Sequence, residues 1–483
     1  MGRARRDVKG ISMKQGFFLK AYGMLWRVLI PFLRRNKRLA DGWEERRVPV
    51  DWLAHVPWAM RERRGCDVWL QAASGGEARL ALAVLEALPE RASGTDARDK
   101  AWRVLLITWT RQGRDVLEAG VARIGALRRD MLCAVRFAPL DEPATALRAL
   151  ELAEPRVLAL LETELWPGLM AACRETGVPL AVLNGRMTNT SYECYRVLRN
   201  VLRDMPPRRV LAMCGEDLSR FCGIFDGAGN PPCRLELIPN IKFDLALHTL
   251  DRACQSAAEP LPEMACGGNL RLLFGTAPLA LFASTREQEE NRLCPRILEL
   301  RRKNPACVIV LAPRHMHRVE AWRSRFYDLG IPCVLASSLN ADAPCESLAP
   351  EAVVLWDRFG DLPHLYAAAD AVYVGGGFGQ GGQNFLEALA GGVVPCVGPR
   401  LGNFLWALGD DCPPALAEAG LLRICRRLVD VRDYMLAGTR ARRTEGEREA
   451  VRARFRTWLE MRTGGSRRTA QVLAQMLEER NGR

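Results

Sequence analysis

Between residues 50 and 440 the chain repeats one pattern, a short apolar run followed by a helical stretch, and it does so in two series. The first series holds "VWLQAAS" (68–74), "RVLLIT" (103–108), "VLALLE" (157–162), "LAVLN" (180–184) and "VLAMC" (210–214), with helical stretches such as 77–88 and 166–176 between them. The second holds "RLLFGT" (271–276), "CVIVLAP" (307–313), "PCVLAS" (332–337), "AVVLWD" (352–357), "AVYVGG" (371–376) and "VVPCVG" (393–398). Such alternation predicts an α/β protein with parallel sheets covered by helices on both faces. The series are separated by "DRACQSAAEPLPEMACGG" (251–268), rich in small residues with two prolines, which reads as a linker. At 483 residues the chain is too long for one ordinary core, so twin Rossmann-like domains are expected at 51–250 and 269–439. They are flanked by a basic segment, 1–50, and an Arg-rich helical tail, 440–483.

The net charge of +13 is uneven: residues 1–50 hold 13 Lys/Arg against 4 Asp/Glu. Inside this segment "GFFLKAYGMLWRVLIPFLRR" is apolar from Phe17 to Leu33 but interrupted by Lys20, Arg27 and Pro31. It lacks the uninterrupted apolar centre of a signal peptide and is short for a full span. It reads as a membrane-interface helix or marginal anchor, with Tyr22 and Trp26 at headgroup level and basic flanks on anionic lipid. A soluble helix packed on its own protein is the plainer alternative. Nucleic acid is not an expected partner, because no RNA-binding signature or interleaved basic-aromatic stripe accompanies the charge. Sixteen cysteines without a Cys-x-x-Cys pair read as free thiols in a reducing compartment, and five dispersed histidines offer no zinc site.

Open parallel sheets bind ligands beyond the carboxyl ends of their strands, and the unusual residues cluster at those ends. In "VWLQAASGGEARL" a carboxylate, Glu77, sits at the mouth of a strand-to-helix turn. Ser74 and Glu77 suit a helix cap; a proton acceptor facing a crevice is the sharper reading. "LLETELWP" sets Glu162 and Glu164 at a strand exit, where an ionised carboxylate needs a partner. "NGRMTNTSYECY" offers Asn184, Arg186, Thr188 and Ser191, and "PNIKFDL" offers Lys242. In the second series Ser284-Thr285 precede an acidic first turn in cap-like fashion, and Arg314 with His315 follow a strand, where an arginine fork suits phosphate. A glycine-rich turn then leads to a helix expected to begin near Asn384, with Glu387 able to accept two hydroxyl hydrogen bonds. The turn is neither a Walker loop nor a GxGxxG fingerprint.

These residues closely resemble the 3-deoxy-D-manno-octulosonic acid (Kdo) transferases, which attach Kdo to lipid A precursors. The resemblance runs in order through "SGGE", "TELWP", "NGRMTNTSYECY", "NIKFD", "ASTREQEE", "PRHMHR", "GDLPHLY", "GGGFGQGGQNFLE" and "GPRLGNF". It implies the GT-B fold, two Rossmann-like domains facing a cleft, with the acceptor on the amino-terminal domain and CMP-Kdo on the other. It implies Glu77 as general base, and Glu164 and Lys242 as stabilisers of the transition state. Pro313, Arg314 and His315 match one CMP contact, Phe359, Gly360 and Asp361 a second, and Asn384, Phe385, Leu386 and Glu387 a third. The resemblance further implies an inverting enzyme on the cytoplasmic face of the inner membrane, with no cofactor and no metal, in keeping with the lack of an Asp-x-Asp element. Its partners would be CMP-Kdo, a lipid A precursor and an anionic membrane surface. The chain departs from the family at Gln383, usually His, at Asp361, usually Glu, at Gly75, usually Val, and at Arg286-Glu287-Gln288, usually His-Glu-Gly. These departures leave open a GT-B transferase for another activated sugar. A non-catalytic nucleotide- or anionic-lipid-binding protein on the same scaffold is the second alternative.

Overall fold

The computed structural model describes residues 13–35, 37–58, 65–91, 101–256, 274–339, 352–358, 361–379, 381–402 and 412–481. The chain divides into two compact units, Met1–Leu245 with Thr463–Arg483, and Ala246–Arg462. Of the expected linker, residues 251–256 finish the helix Ile241–Ser256, and 257–268 lie outside the described residues. The Arg-rich tail is two helices, Glu445–Glu460 and Gly465–Asn481, and they belong to different units.

Among the described residues the first unit holds seven parallel strands: β1 (Val68–Gln71), β2 (Trp102–Thr108), β3 (Met131–Phe137), β4 (Val157–Leu161), β5 (Leu180–Gly185), β6 (Arg209–Ala212) and β7 (Arg234–Leu237). Their order is β3-β2-β1-β4-β5-β6-β7, the doubly wound arrangement. Side chains alternate across a strand, so each strand feeds two cores. Trp69, Leu105, Ile107, Leu158 and Leu160 enter one; Leu70, Val104, Leu106, Val157 and Ala159 enter the other. The tail returns to cover the second face, where Ala470, Leu473, Met476 and Leu477 join the core. Asp244 fixes that return by accepting from the backbone N–H of Gly464 and Ser466, both at 2.6 Å.

The amino-terminal helix, Met13–Leu33, lies against this unit by one side. The Tyr22 hydroxyl donates to Asp141 at 2.8 Å, while Phe17, Met24, Val28 and Phe32 stay exposed. Its portion Gly16–Leu33 is long and apolar enough to cross a membrane by length and composition.

The second unit repeats the plan with β8 (Leu279–Thr285), β9 (Val308–Pro313), β10 (Cys333–Leu335), β11 (Val353–Leu355), β12 (Ala371–Val374), β13 (Pro395–Val397) and β14 (Arg423–Ile424). Their order is β10-β11-β9-β8-β12-β13-β14, with every pairing parallel. Its first strand corrects the expected one. Residues 274–276 of "RLLFGT" are not strand, and the sheet instead takes the next apolar run, Leu279–Thr285. Ser284 and Thr285 consequently finish β8, and the N-cap of the following helix, Glu287–Lys303, is Arg286.

Asp370 locks this unit together. Fully buried, it accepts from the backbone of Leu279 (2.9 Å) and Arg443 (2.8 Å) and pairs with the buried Arg448 at 2.9 Å. Replacing Asp370 with Ala strands a buried guanidinium and two amides. It should lower stability by about 3–5 kcal/mol, read as a lower urea midpoint; a loss under ~1 kcal/mol contradicts this account.

Candidate active site

In the first sheet the strand order reverses between β1 and β4, which opens a crevice beyond their carboxyl ends. Glu77 arrives there from β1 through the turn Ala72-Ala73-Ser74. Ser74 is the N-cap of the helix Gly75–Ala87, its Oγ accepting from Glu77 N at 3.3 Å and donating to Glu77 Oε1 at 3.0 Å. Ala73 N donates to Glu77 Oε2 at 2.7 Å. The capping role expected of this pair is present, and it fixes the carboxylate's position. Burial first, then the Glu162 charge, push the Glu77 carboxyl up to about 7 against these hydrogen bonds.

Glu162 and Glu164 follow β4 and take different partners. Glu162 has a left-handed backbone, φ 57°, a conformation that costs a non-glycine residue and persists where surroundings enforce it. Its buried carboxylate accepts from Lys242 Nζ at 2.7 Å and pairs with Arg186 Nη2 at 2.8 Å. Glu164 accepts from the Trp166 indole at 2.5 Å, and that ring stacks obliquely on Trp109 with centroids 5.2 Å apart. Burial raises the Glu164 carboxyl, while the indole and Gln71 oppose the rise. Lys242 is lowered by burial, with the Glu162 charge holding it up.

Asn184 explains why Lys242 is in reach. At the end of β5, with φ 50°, its Oδ1 accepts from Ile241 N at 3.0 Å, the first residue of the helix that bears the lysine. Thr188 is an N-cap, accepting from Ser191 N at 3.1 Å. The partner that ties the site together is Glu162. The sequence signalled it by a second acid beside Glu164 but could not say which acid would meet the lysine.

In the second sheet the order reverses between β8 and β12. Pro313 closes β9 and is buried, whereas Arg314 and His315 are exposed beyond it. Arg314 N donates to Thr285 O at 3.0 Å, and its Nε donates to Gln383 Oε1 at 3.0 Å. His315 stacks with His317, centroids 5.5 Å apart. Asn384 accepts from Leu386 N at 3.1 Å and donates to Glu387 Oε1 at 3.0 Å, which orients that carboxylate. The helix is Leu386–Ala390, two residues later than expected; Phe385 and Leu386 are buried and serve packing. Asp361 stands at the N-cap of the helix Leu362–Ala368 and pairs with Arg358 at 3.3 Å. Phe359 and Gly360 lie outside the described residues. Among the described residues, no three His, Cys, Asp or Glu side chains are grouped to hold a metal ion.

A family model described as 3-deoxy-D-manno-octulosonic-acid transferase (kdotransferase) matches residues 41–245. The 3-deoxy-D-manno-octulosonic acid transferase of Bordetella pertussis is 32% identical over 422 residues, 85% of this chain and 87% of that protein. The enzyme of the same name from Rickettsia conorii is 25% identical over 334 residues, 66% of this chain and 61% of its own length. Among solved structures, the C-terminal CMP-Kdo binding domain of WaaA from Acinetobacter baumannii is similar at 20% identity. Its TM-score is 0.33, and the match covers 44% of this chain and 99% of that one.

The first-unit charges make a direct prediction. In Glu162→Gln the larger of the two charges that disfavour an ionised Glu77 is gone, so the Glu77 midpoint, followed by isotope-edited NMR, should drop. An unchanged midpoint contradicts the electrostatic assignment.

Proposed function

This chain belongs to the 3-deoxy-D-manno-octulosonic acid (Kdo) transferase family, and we propose that it moves Kdo from CMP-Kdo to a lipid A precursor of the lipid IVA type with inversion at the anomeric carbon. The first unit handles the acceptor. The acceptor hydroxyl gives its proton to the Glu77 carboxylate as its oxygen bonds the anomeric carbon. The bond from that carbon to the phosphate oxygen breaks, and CMP leaves with the electron pair. The observation that carries this reading is Glu77 itself, held by Ala73 and Ser74 with its carboxyl at about 7, a value suited to a general base near neutral pH.

Lys242, kept charged by Glu162, and Glu164 act on the charge that develops in the transition state. On the second unit Arg314, fixed through its Nε by Gln383, leaves the rest of its fork for the CMP phosphate. Amides of the glycine-rich turn and the Asn384–Glu387 pair complete donor binding. One phosphate is matched by these groups, so the reaction needs neither metal nor cofactor. The amino-terminal helix rests by its Tyr22 side on the protein and presents Phe17, Met24, Val28 and Phe32 to the bilayer. Its basic flanks meet anionic lipid on the cytoplasmic face of the inner membrane, where the glycolipid acceptor is anchored.

Mass spectrometry of the lipid after incubation with CMP-Kdo and a tetra-acylated precursor should show added Kdo; no increment with that pair rejects the donor–acceptor assignment. Glu77→Gln should lose at least about 100-fold in kcat while CMP affinity is kept, and near-parental turnover removes Glu77 from the base role. Because the base must be ionised, kcat/KM of the parent should climb through a midpoint near pH 7 and level off above it.

A further inference from the structure

Resting on the reading that Arg314, His315 and the glycine-rich turn receive the donor, we propose that the adjacent acids Glu289 and Glu290 are positioning residues that set the shape of that nucleotide pocket. Two neighbouring carboxylates with no solvent exposure are costly to bury, and a role in the helix dipole alone does not require it. Glu287, in the same first turn of the Glu287–Lys303 helix, meets the dipole with its side chain 64% exposed and accepts from Arg318 Nη1 at 3.0 Å from the surface. Glu289 and Glu290 point inward, each at a different loop.

Glu289 holds the glycine-rich turn. Its Oε1 accepts from Gly376 N at 2.8 Å and Arg286 N at 3.0 Å, and its Oε2 accepts from the Tyr373 hydroxyl at 2.7 Å. The backbone folds closely around this carboxylate: a Cβ on Gly375 would stand 2.4 Å from Glu289 Oε1 and 2.6 Å from Ser284 O. Gly376 carries φ 88°, which an L side chain rarely adopts. The turn after β12 is therefore shaped by one acid in the first turn of the helix that follows β8.

Glu290 holds the other loop. Its two oxygens accept from Arg318 Nη2 at 2.6 Å and Nε at 3.2 Å, a two-point fork, with Arg325 Nη1 at 3.7 Å behind. Arg318 closes the short 3-10 turn Met316–Arg318, and its N–H donates to His315 O at 2.9 Å. Clamping Arg318 thus fixes the segment that carries Arg314 and His315. Both loops hang from one helical turn, and they meet where Arg314 bonds Gln383.

The geometry ranks substitutions. In Glu289→Gln the amide oxygen can keep both backbone N–H bonds while its NH2 donates to a reversed Tyr373 hydroxyl, so function should be largely rescued. Glu289→Ala loses all three bonds. In Glu290→Gln an amide donor faces the guanidinium and the ionic fork is broken. Glu289→Ala and Glu290→Gln should each weaken CMP binding, read by calorimetry, about tenfold. They should raise the donor KM in parallel, with kcat at saturating donor within about threefold of the parent and acceptor KM unchanged. Glu289→Gln should bind CMP within about threefold of the parent. Arg314→Ala separates the premise from the proposal. If it leaves CMP affinity unchanged, the donor reading falls and the positioning roles fall with it. If Arg314→Ala weakens CMP binding but folded Glu289→Ala and Glu290→Gln bind it as the parent does, only the positioning proposal is overturned. Should both acid variants fail to fold, Arg318→Lys breaks the same fork from its less buried side. Weakened CMP binding there supports the proposal, and parental binding overturns it.

Discussion

Three carboxylates and two cations share the crevice at the reversal of the first sheet, and that inequality governs the rest. Glu162 pairs with both cations, Lys242 and Arg186. Glu77 and Glu164 are then left in a partly desolvated place beside a negative charge. Their carboxyls rise, and Glu77 rises to about 7. The acid matched by ions is structural, and the unmatched acid gains a proton affinity suited to exchange near neutral pH. Removing either cation would leave Glu162 with a single partner and more of its charge facing the other two carboxyls, so the lysine and arginine act on Glu77 through Glu162.

The same shift sets activity against stability. A carboxyl near 7 in the folded chain binds its proton more tightly than at the ordinary value of 4.5, so the proton stabilises the folded state. That contribution is complete below the ordinary value and is lost as pH rises through about 7. The pH range in which Glu77 is ionised and able to accept a proton is the range in which its contribution to the fold has gone. The cap bonds from Ala73 and Ser74 offset part of this cost because they favour the ionised form.

Most of the scaffold was legible because strands buried on both faces must be apolar throughout. β1, β2, β4, β5 and β6 stand inside the expected runs or within a residue of them. β3, "MLCAVRF", carries an arginine and half-buried positions, and β7, "RLEL", is an edge strand whose polar residues meet solvent or ion pairs. Neither has the unbroken apolar signature. The first strand of the second unit differs from the expected one because "RLLFGT" and "LALFAST" are equally good apolar runs. The choice depends on the distant Asp370, whose carboxylate receives Leu279 N. At the first-unit site the residue types were visible but the pairings were not. Glu162 and Glu164 are two positions apart, and only the left-handed turn at Glu162 sends it, rather than its neighbour, to Lys242.

The two sheets use their acids at equivalent places for opposite ends. Glu77 and Glu289 both lie just past the first strand of their sheet, in the first turn of the helix that follows, beside the strand at which the order reverses. Both accept from backbone N–H groups. Glu289 is sealed from solvent and has two amides on one oxygen and a hydroxyl on the other, so a proton transferred there must displace or reverse a bond already made. Glu77 retains solvent access and has one amide and one hydroxyl, leaving lone-pair capacity unused. Position in the fold therefore does not decide which acid reacts. Spare acceptor capacity and access do, and by that criterion Glu77 suits the base proposed for the first unit and Glu289 suits a clamp in the second.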